Sequence, residues 1–277
     1  MTDTRPQARE RTSTDDPFRV ERLASALGAL VTGVDLAAGV DDGVLARLQG
    51  LFLEHQVLCL RGQQAMSPRQ QLQFAARWGE VSVHPYVPSI EGHPGVMKIH
   101  DPTPVTQRWH ADTTHAPRPP ALTLLLARVI PPLGGDTMWA DAYGAYEQLS
   151  PGLRATLDTL RAVHRGTELA GAAGLDRDAV TTTHPVVRTH PDTGRKALFV
   201  NGDYTSHFEG WTTEESAPLL AYLYAQVARP ELVYRHRWQV GDLVIWDNRC
   251  TQHAVVGDTG GAERVLHRVT IAGDRPY

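Results

Sequence analysis

The chain has 277 residues, 42% of them apolar and 21% charged, with a formal net charge of −4. That length buries a core without covalent staples, the apolar share excludes a mostly disordered chain, and the acidic balance argues against a polyanion such as nucleic acid as partner. Two cysteines, Cys59 and Cys250, are too few for a disulfide framework or a four-cysteine zinc site.

Residues 1–16 (MTDTRPQARERTSTDD) read as a disordered tail, and residues 17–277 as a single domain. The tail lacks the apolar stretch of a signal peptide. No apolar run reaches the ~18 residues of a membrane span, so no membrane partner is expected and the location predicted is cytoplasmic. The run from Ala29 to Leu36 has strand character. Val44, Leu45, Leu48, Leu51 and Phe52 recur at helical spacing and predict a helix over 41–55. Val57–Leu60 is a short buried-type strand. Ser67-Pro68 supplies a cap and a first-turn proline for a helix to about Trp78.

Leu122–Val129 reads as an apolar strand that ends at Pro131-Pro132. Asp141 can cap a short helix, and Ser150-Pro151 starts another to about Val163. Residues 164–181 are rich in small residues and weakly periodic, which predicts a loop that could cover a site as a lid. Thr212 with Glu215 forms a capping box for a helix to about Arg229, before Pro230. Glu231–Gln239, Asp242–Trp246 and Val265–Ile271 are strands. Many short strands with interspersed helices predict a mainly β sandwich with flanking helices.

Thirteen histidines are available, and three segments combine them with other reactive groups. In Trp109-His110-Ala111-Asp112, period-two alternation turns His110 and Asp112 to one side. An imidazole beside a carboxylate makes two legs of a metal site. Two histidines and one carboxylate on one face of an ion suit non-haem Fe(II) and leave positions open. The triplet by itself is common by chance. His253, after the strand that ends at Trp246-Asp247-Asn248, is the candidate third ligand; an ordinary half-buried histidine is the alternative. In Arg264–Ile271, Arg264, Leu266, Arg268 and Thr270 share one strand face, while Val265, His267, Val269 and Ile271 share an apolar one. Two arginines on a buried face are costly unless they meet anions, which their planar forks hold in bidentate fashion. A solvated face is the alternative. The remaining histidines read as core or surface residues, with His207 nearest to an exception.

The stretches FAARWGEVSVHP, WHADTTH, GGDTMWAD, HPVVRTHPDTGRKALFVN, YRHRWQVGDLVIWDNRCTQH and ERVLHRVTIAGDRPY, in this order, resemble the taurine dioxygenase / 2,4-D dioxygenase family of Fe(II)- and 2-oxoglutarate-dependent oxygenases over about residues 20–277. The resemblance implies a double-stranded β-helix, or jelly roll. It implies His110, Asp112 and His253 as ligands of Fe(II), with 2-oxoglutarate chelating the metal and O2 as co-substrate. It also implies that Arg264 pairs with the distal carboxylate of 2-oxoglutarate and that Thr137 adds a hydrogen bond. Arg268 and His84 fall where the family's taurine enzymes hold the substrate sulfonate. Related halogenases lack the carboxylate at Asp112, so its presence implies hydroxylation.

The taurine pattern is broken at the other end of the pocket. Val87 stands where those enzymes carry a tyrosine, which is displaced here to Tyr86. Thr106 stands for an asparagine and Tyr204 for a phenylalanine. A site that loses partners for an ammonium discriminates against it. The expected substrate is therefore a small organic acid with a sulfonate, sulfate or carboxylate head and a tail unlike taurine's. Oxidation of an amino-acid-derived carboxylate and a redox-inert metal hydrolase or isomerase on the same fold are the alternatives. Members of such families often form dimers or tetramers, and the sequence leaves a homo-oligomer open.

Overall fold

The computed structural model describes residues 17–83, 88–100, 108–167 and 180–277. The N-terminal tail, most of the expected lid, and His84, Tyr86, Val87 and Thr106 lie outside the described residues. In chain order the elements are β1 (Arg19–Arg22), β2 (Ala29–Thr32), α1 (Asp42–His55), β3 (Val57–Leu60), α2 (Pro68–Ala76), β4 (Val81–Ser82), β5 (Ser89–Ile90) and β6 (His93–His100). Then follow β7 (Leu122–Val129), β8 (Thr137–Asp141), α3 (Ala142–Glu147), α4 (Pro151–Leu157), β9 (Arg161–Arg165), β10 (Thr181–Pro185), β11 (Val187–Thr189) and β12 (Lys196–Leu198). The last are β13 (Thr205–Phe208), α5 (Thr213–Val227), a 3-10 turn at Pro230–Leu232, β14 (Val233–His236), β15 (Leu243–Asp247), β16 (Thr251–Val255) and β17 (Val265–Ile271).

Two sheets enclose the interior, as the jelly-roll expectation requires. The large one has nine strands in the order β1-β2-β3-β15-β7-β17-β6-β5, with β4 sharing an edge of β17 with β6. The small one runs β14-β8-β16. A bridge between His110 and His253 extends it by one segment, with reciprocal backbone hydrogen bonds of 3.0 and 2.7 Å. The three-stranded sheet β10-β9-β13 and the pair β11-β12 stand apart from both.

The central strands are apolar on both faces, which is why they read as continuous hydrophobic runs. Leu58, Leu60, Leu124, Leu126, Leu243 and Ile245 point outward, against Leu48, Leu51 and Phe52 of α1 and Phe74 of α2. Val57, Cys59, Leu125, Ala127, Val244 and Leu266 point inward, against Trp139 of β8 and Trp238. The helices are placed by their caps. Asp41 accepts from the Val44 amide at the start of α1, and Ser67 with Gln70 closes a capping box on α2. Gln56 turns left-handed (φ 64°) and sends the chain directly into β3.

Two expected boundaries move. The helix begun at Ser150-Pro151 stops at Leu157, and residues 161–165 are strand β9. Ala162 and His164 alternate inward there, and pairing with β10 and β13 on both edges outweighs local helix propensity. The ends of the expected lid at 164–181 belong to the same ladder, in which Arg165 faces Thr181. The strand expected at 231–239 opens with the 3-10 turn and shortens to Val233–His236, because Asp242 draws the Gln239 amide into a turn. No helix among the described residues is long and apolar enough to cross a membrane.

Beside β13 lies a cluster of buried histidines. His164 shares a hydrogen bond of 2.9 Å with Thr114 Oγ1, and its ring lies 5.4 Å from that of His184. Burial, with His184 and His115 nearby, pushes His164 down to about 3, and burial also lowers His184. The unfolded chain takes up protons below the ordinary value of 6.5 while the folded chain refuses them. Stability is therefore retained above that value and lost as pH falls from 6.5 towards 3, by about 1.4 kcal/mol per pH unit for His164. Urea midpoints at pH 7 and pH 5 should show His164→Gln losing less on acidification than the parent. Equal losses would mean that this histidine does not set the acid sensitivity.

Candidate active site

The three expected ligands come from separate parts of the chain and meet at one mouth of the barrel. His110 and His253 face each other across the bridge that extends the small sheet, their ring centroids 4.1 Å apart. Asp112 lies two residues on, and its Oδ1 is 3.7 Å from His253 Nε2. One ligand atom from each of the three lies within 4.8 Å of the others, and all three side chains are buried.

For His110 and Asp112 the remaining polar atoms are committed in ways that aim the ligand atoms inward, whereas His253 Nδ1 is buried without a hydrogen-bond partner. His110 Nδ1 donates to the Arg108 carbonyl at 2.9 Å, which leaves Nε2 as its coordinating nitrogen. Asp112 Oδ2 accepts from Thr123 Oγ1 at 2.6 Å and from Asn248 Nδ2 at 3.1 Å, and pairs with Arg268 Nη2 at 2.7 Å. Oδ1 is left facing the histidines as a monodentate ligand. Asn248 also accepts from the Asp112 amide and from Trp246 Nε1, each at 3.1 Å, so one amide fixes backbone, carboxylate and indole together. Burial would raise the Asp112 carboxyl, but Arg268 and the two histidines hold it well below the usual range. Burial, with His110 beside it, keeps His253 neutral far below its ordinary range. An ionised carboxylate and two neutral imidazoles with open lone pairs fit a divalent metal.

Arg264 and Arg268 lie on the inner face of the β17 segment, so the solvated-face alternative fails. Arg264 is buried; its Nε donates to the Gly135 carbonyl at 2.9 Å and its Nη2 to Thr137 Oγ1 at 3.3 Å. Gly135 is at φ 71°, and a Cβ there would stand 2.9 Å from Arg264 Cδ, so only glycine admits the guanidinium stem. Arg268 is half-buried and bonds Thr270 Oγ1 as well as Asp112. With Met97, Thr113, Pro120, Val180 and Thr270 it lines a cavity of about 620 Å³. His110, Asp112 and His253 line neither this cavity nor a second one of about 540 Å³; the first adjoins them through Arg268, which pairs with Asp112, and Thr113.

Tyr204 lies beside the candidate ligands, its ring 5.0 Å from His115 and 6.3 Å from His110. Burial and the Asp112 carboxylate push its phenol up, so it stays neutral. His84, Tyr86, Val87 and Thr106, expected at the substrate end, lie outside the described residues. Sequence reasoning missed Thr123, Asn248 and Trp238. Thr123 had a readable signal, as the polar residue at the start of an otherwise apolar run that β7 buries on both faces.

A jelly roll that gathers two histidines and a carboxylate at its mouth, with an arginine and a hydroxyl deeper inside, defines the class of mononuclear metal oxygenases that take an acidic co-substrate. The family model described as "Taurine catabolism dioxygenase TauD, TfdA family" matches residues 19–270. The chain is 34% identical to an alkylsulfatase of Acinetobacter baylyi, over 93% of this chain and 86% of that one. It is likewise 34% identical to an alpha-ketoglutarate-dependent sulfate ester dioxygenase of Pseudomonas putida, over 93% and 90%. A crystal structure of a taurine dioxygenase from Burkholderia xenovorans superposes with a TM-score of 0.84 at 35% identity, covering 94% of this chain and 93% of that one. The chain belongs to the TauD/TfdA family and is a 2-oxoglutarate-dependent dioxygenase, a chemistry that requires 2-oxoglutarate and a metal.

The support of Asp112 yields a direct test. Thr123→Val keeps the shape of the side chain and deletes the hydrogen bond to Oδ2. Titration with Co(II) or Fe(II) should show metal affinity lowered roughly 10-fold or more, the usual cost of losing an outer-shell partner. Unchanged affinity would show that the carboxylate is positioned without it.

Proposed function

We propose that the metal is Fe(II), held by His110, Asp112 and His253, and that the substrate is a small organic acid whose anionic head is held by Arg268. The observation that carries this is the placing of Arg268 on β17 and of Arg264 just before it. One arginine touches the ligand carboxylate and opens into the cavity, while the other lies deep in the barrel against Thr137. Fe(II) with 2-oxoglutarate and O2 supplies an oxygen atom to a substrate C–H and releases succinate and CO2. This chain's residues do the positioning. Arg264 and Thr137 hold the distal carboxylate of 2-oxoglutarate, and Arg268 holds the substrate anion so that the adjoining carbon faces the metal. Two of the five N–H donors of Arg268 meet the described partners Asp112 and Thr270, and the others suit an anion.

Among anionic heads we favour a sulfate ester. Met97, Pro120 and Val180 give the cavity an apolar wall for an alkyl tail, and two relatives are named for sulfate esters or alkyl sulfates. Hydroxylating the carbon that bears the sulfate oxygen gives an adduct that collapses to an aldehyde and free sulfate. His84, Tyr86, Val87, Thr106 and Tyr204 are the residues we assign to the rest of the substrate pocket. Two free, buried cysteines fit the cytoplasmic location expected for the enzyme.

The test is anaerobic. Adding 2-oxoglutarate to the Fe(II)-loaded protein should produce the visible charge-transfer band of a chelated keto acid, and Arg264→Ala should weaken it. A panel of alkyl sulfates, sulfonates and aryloxy acids is then scored by succinate formation, with an alkyl sulfate expected to lead and Arg268→Ala expected to raise its KM. No band, with tight zinc binding in its place, would sink the oxygenase reading. Taurine as the best substrate would sink the sulfate ester assignment.

A further inference from the structure

We propose that Trp238 is a positioning residue for 2-oxoglutarate, acting through the hydroxyl of Thr137. This rests on the cofactor reading above and adds a residue to it. A threonine hydroxyl has two acceptor sites and one proton. Trp238 Nε1 donates to Thr137 Oγ1 at 3.0 Å, and Arg264 Nη2 donates to the same atom at 3.3 Å. With both acceptor sites occupied by N–H groups, the one remaining hydrogen-bonding capacity of Thr137 is its own proton. The hydroxyl therefore presents itself as a donor, beside a guanidinium, in a buried site. A carboxylate is the ligand that matches a donor and a cation side by side. If the indole were absent, the hydroxyl could rotate and offer a lone pair, which repels a carboxylate.

The indole is itself firmly held. Trp238 is buried, its ring meets His236 edge-on at 4.8 Å, and it lies 6.2 Å from Trp139. His236 is fixed in turn by the Tyr234 hydroxyl at 2.7 Å and by Asp242 at 3.1 Å. Asp242 is clamped by Arg61 through two hydrogen bonds of 2.9 and 3.2 Å and accepts the Gln239 amide, closing the turn that follows the indole. The chain Arg61–Asp242–His236–Trp238–Thr137 thus runs from the strand edge to the cofactor's distal end. The guanidinium carbon of Arg264 lies 5.9 Å over the Trp238 ring, so the same residue also steers the cation.

The test compares two keto acids on the Fe(II)-loaded protein without oxygen, read by the charge-transfer band and by thermal stabilisation. 2-Oxoglutarate carries the distal carboxylate and 2-oxobutyrate lacks it. Trp238→Phe should lose about tenfold in affinity for 2-oxoglutarate and keep that for 2-oxobutyrate, the size expected for one misdirected hydrogen bond to a charge. A purely structural role would shift both acids together. In a Thr137→Val background Trp238→Phe should cost no further preference, and Thr137→Ser, which keeps the hydroxyl, should retain it. Should removal of the indole unfold the protein, the Thr137 pair still decides: Val losing the preference while Ser keeps it supports the donor role, and Val keeping it overturns the proposal. Trp238→Phe with undiminished preference overturns it equally. A parent that binds neither acid overturns the cofactor reading and this inference with it.

Discussion

The site is organised around one buried carboxylate. Placing Asp112 at the barrel mouth removes an anion from water, a cost that only close, well-directed partners offset. The large sheet supplies them from three adjacent strands: Thr123 at the start of β7, Asn248 just after β15, and Arg268 on β17. These strands are neighbours in the order β15-β7-β17, with Thr123 opposite both Trp246 and Thr270. The carboxylate is thus a node tying a loop residue to the centre of the sheet. Because every anchor reaches Oδ2, the fold leaves Oδ1 oriented towards the histidines without any other constraint. Ligand geometry is a by-product of how the anion is stabilised.

The opposite wall is built by the small sheet, and an aromatic row joins the two ends of the site. His253 packs on Trp246 at 4.8 Å, Trp246 on Trp139 at 5.6 Å, and Trp139 on Trp238 at 6.2 Å. The row ends beneath Arg264, whose guanidinium carbon lies 5.9 Å over the Trp238 ring, four positions before Arg268 in the chain. One guanidinium therefore lies against the candidate ligand Asp112 and the other against Thr137, with the rings of the row on the facing wall. A dry interior strengthens the attraction of each guanidinium for an anion.

Much of this was legible in the sequence, for identifiable reasons. Period-two alternation placed Leu266, Arg268 and Thr270 on one face, because β17 is regular from Leu266 onward; Arg264 precedes an irregularity at Val265/Leu266 and is held inside by Gly135 and Thr137. The α1 and α2 helices announced themselves through caps, which are local. What could not be read were elements without a local pattern of their own, whose conformation is set by partners distant in sequence. Residues 161–165 carry no strong strand propensity and become β9 because β10 and β13 pair with them. Asn248 sits in the turn after a strand, and its role exists only because the segment at Asp112 is folded back 136 positions away. Trp238 was equally opaque: an indole in a strand-like run reads as core, and it is core, but its N–H has one particular acceptor.

Counting ligand-type residues is not enough to find a metal site, as two other clusters show. Cys59, His236 and Asp242 lie within coordinating distance of one another, and so do His190, Asp247 and Cys250. In both, the carboxylate is saturated by an arginine, Arg61 on Asp242 and Arg249 on Asp247. Both histidines are also used up. His236 bonds Tyr234 and Asp242, while His190 bonds Asp247 through Nε2 and accepts the Asp192 and Thr193 amides at Nδ1. Burial pushes both thiols up, which keeps them protonated and poor ligands. These clusters therefore brace turns. At the barrel mouth the balance differs: Asp112 receives all its donors on one oxygen and His110 uses one nitrogen on a carbonyl, so lone pairs remain that point at one another. Those unspent atoms, more than the residue types, distinguish the candidate metal centre from the two other clusters.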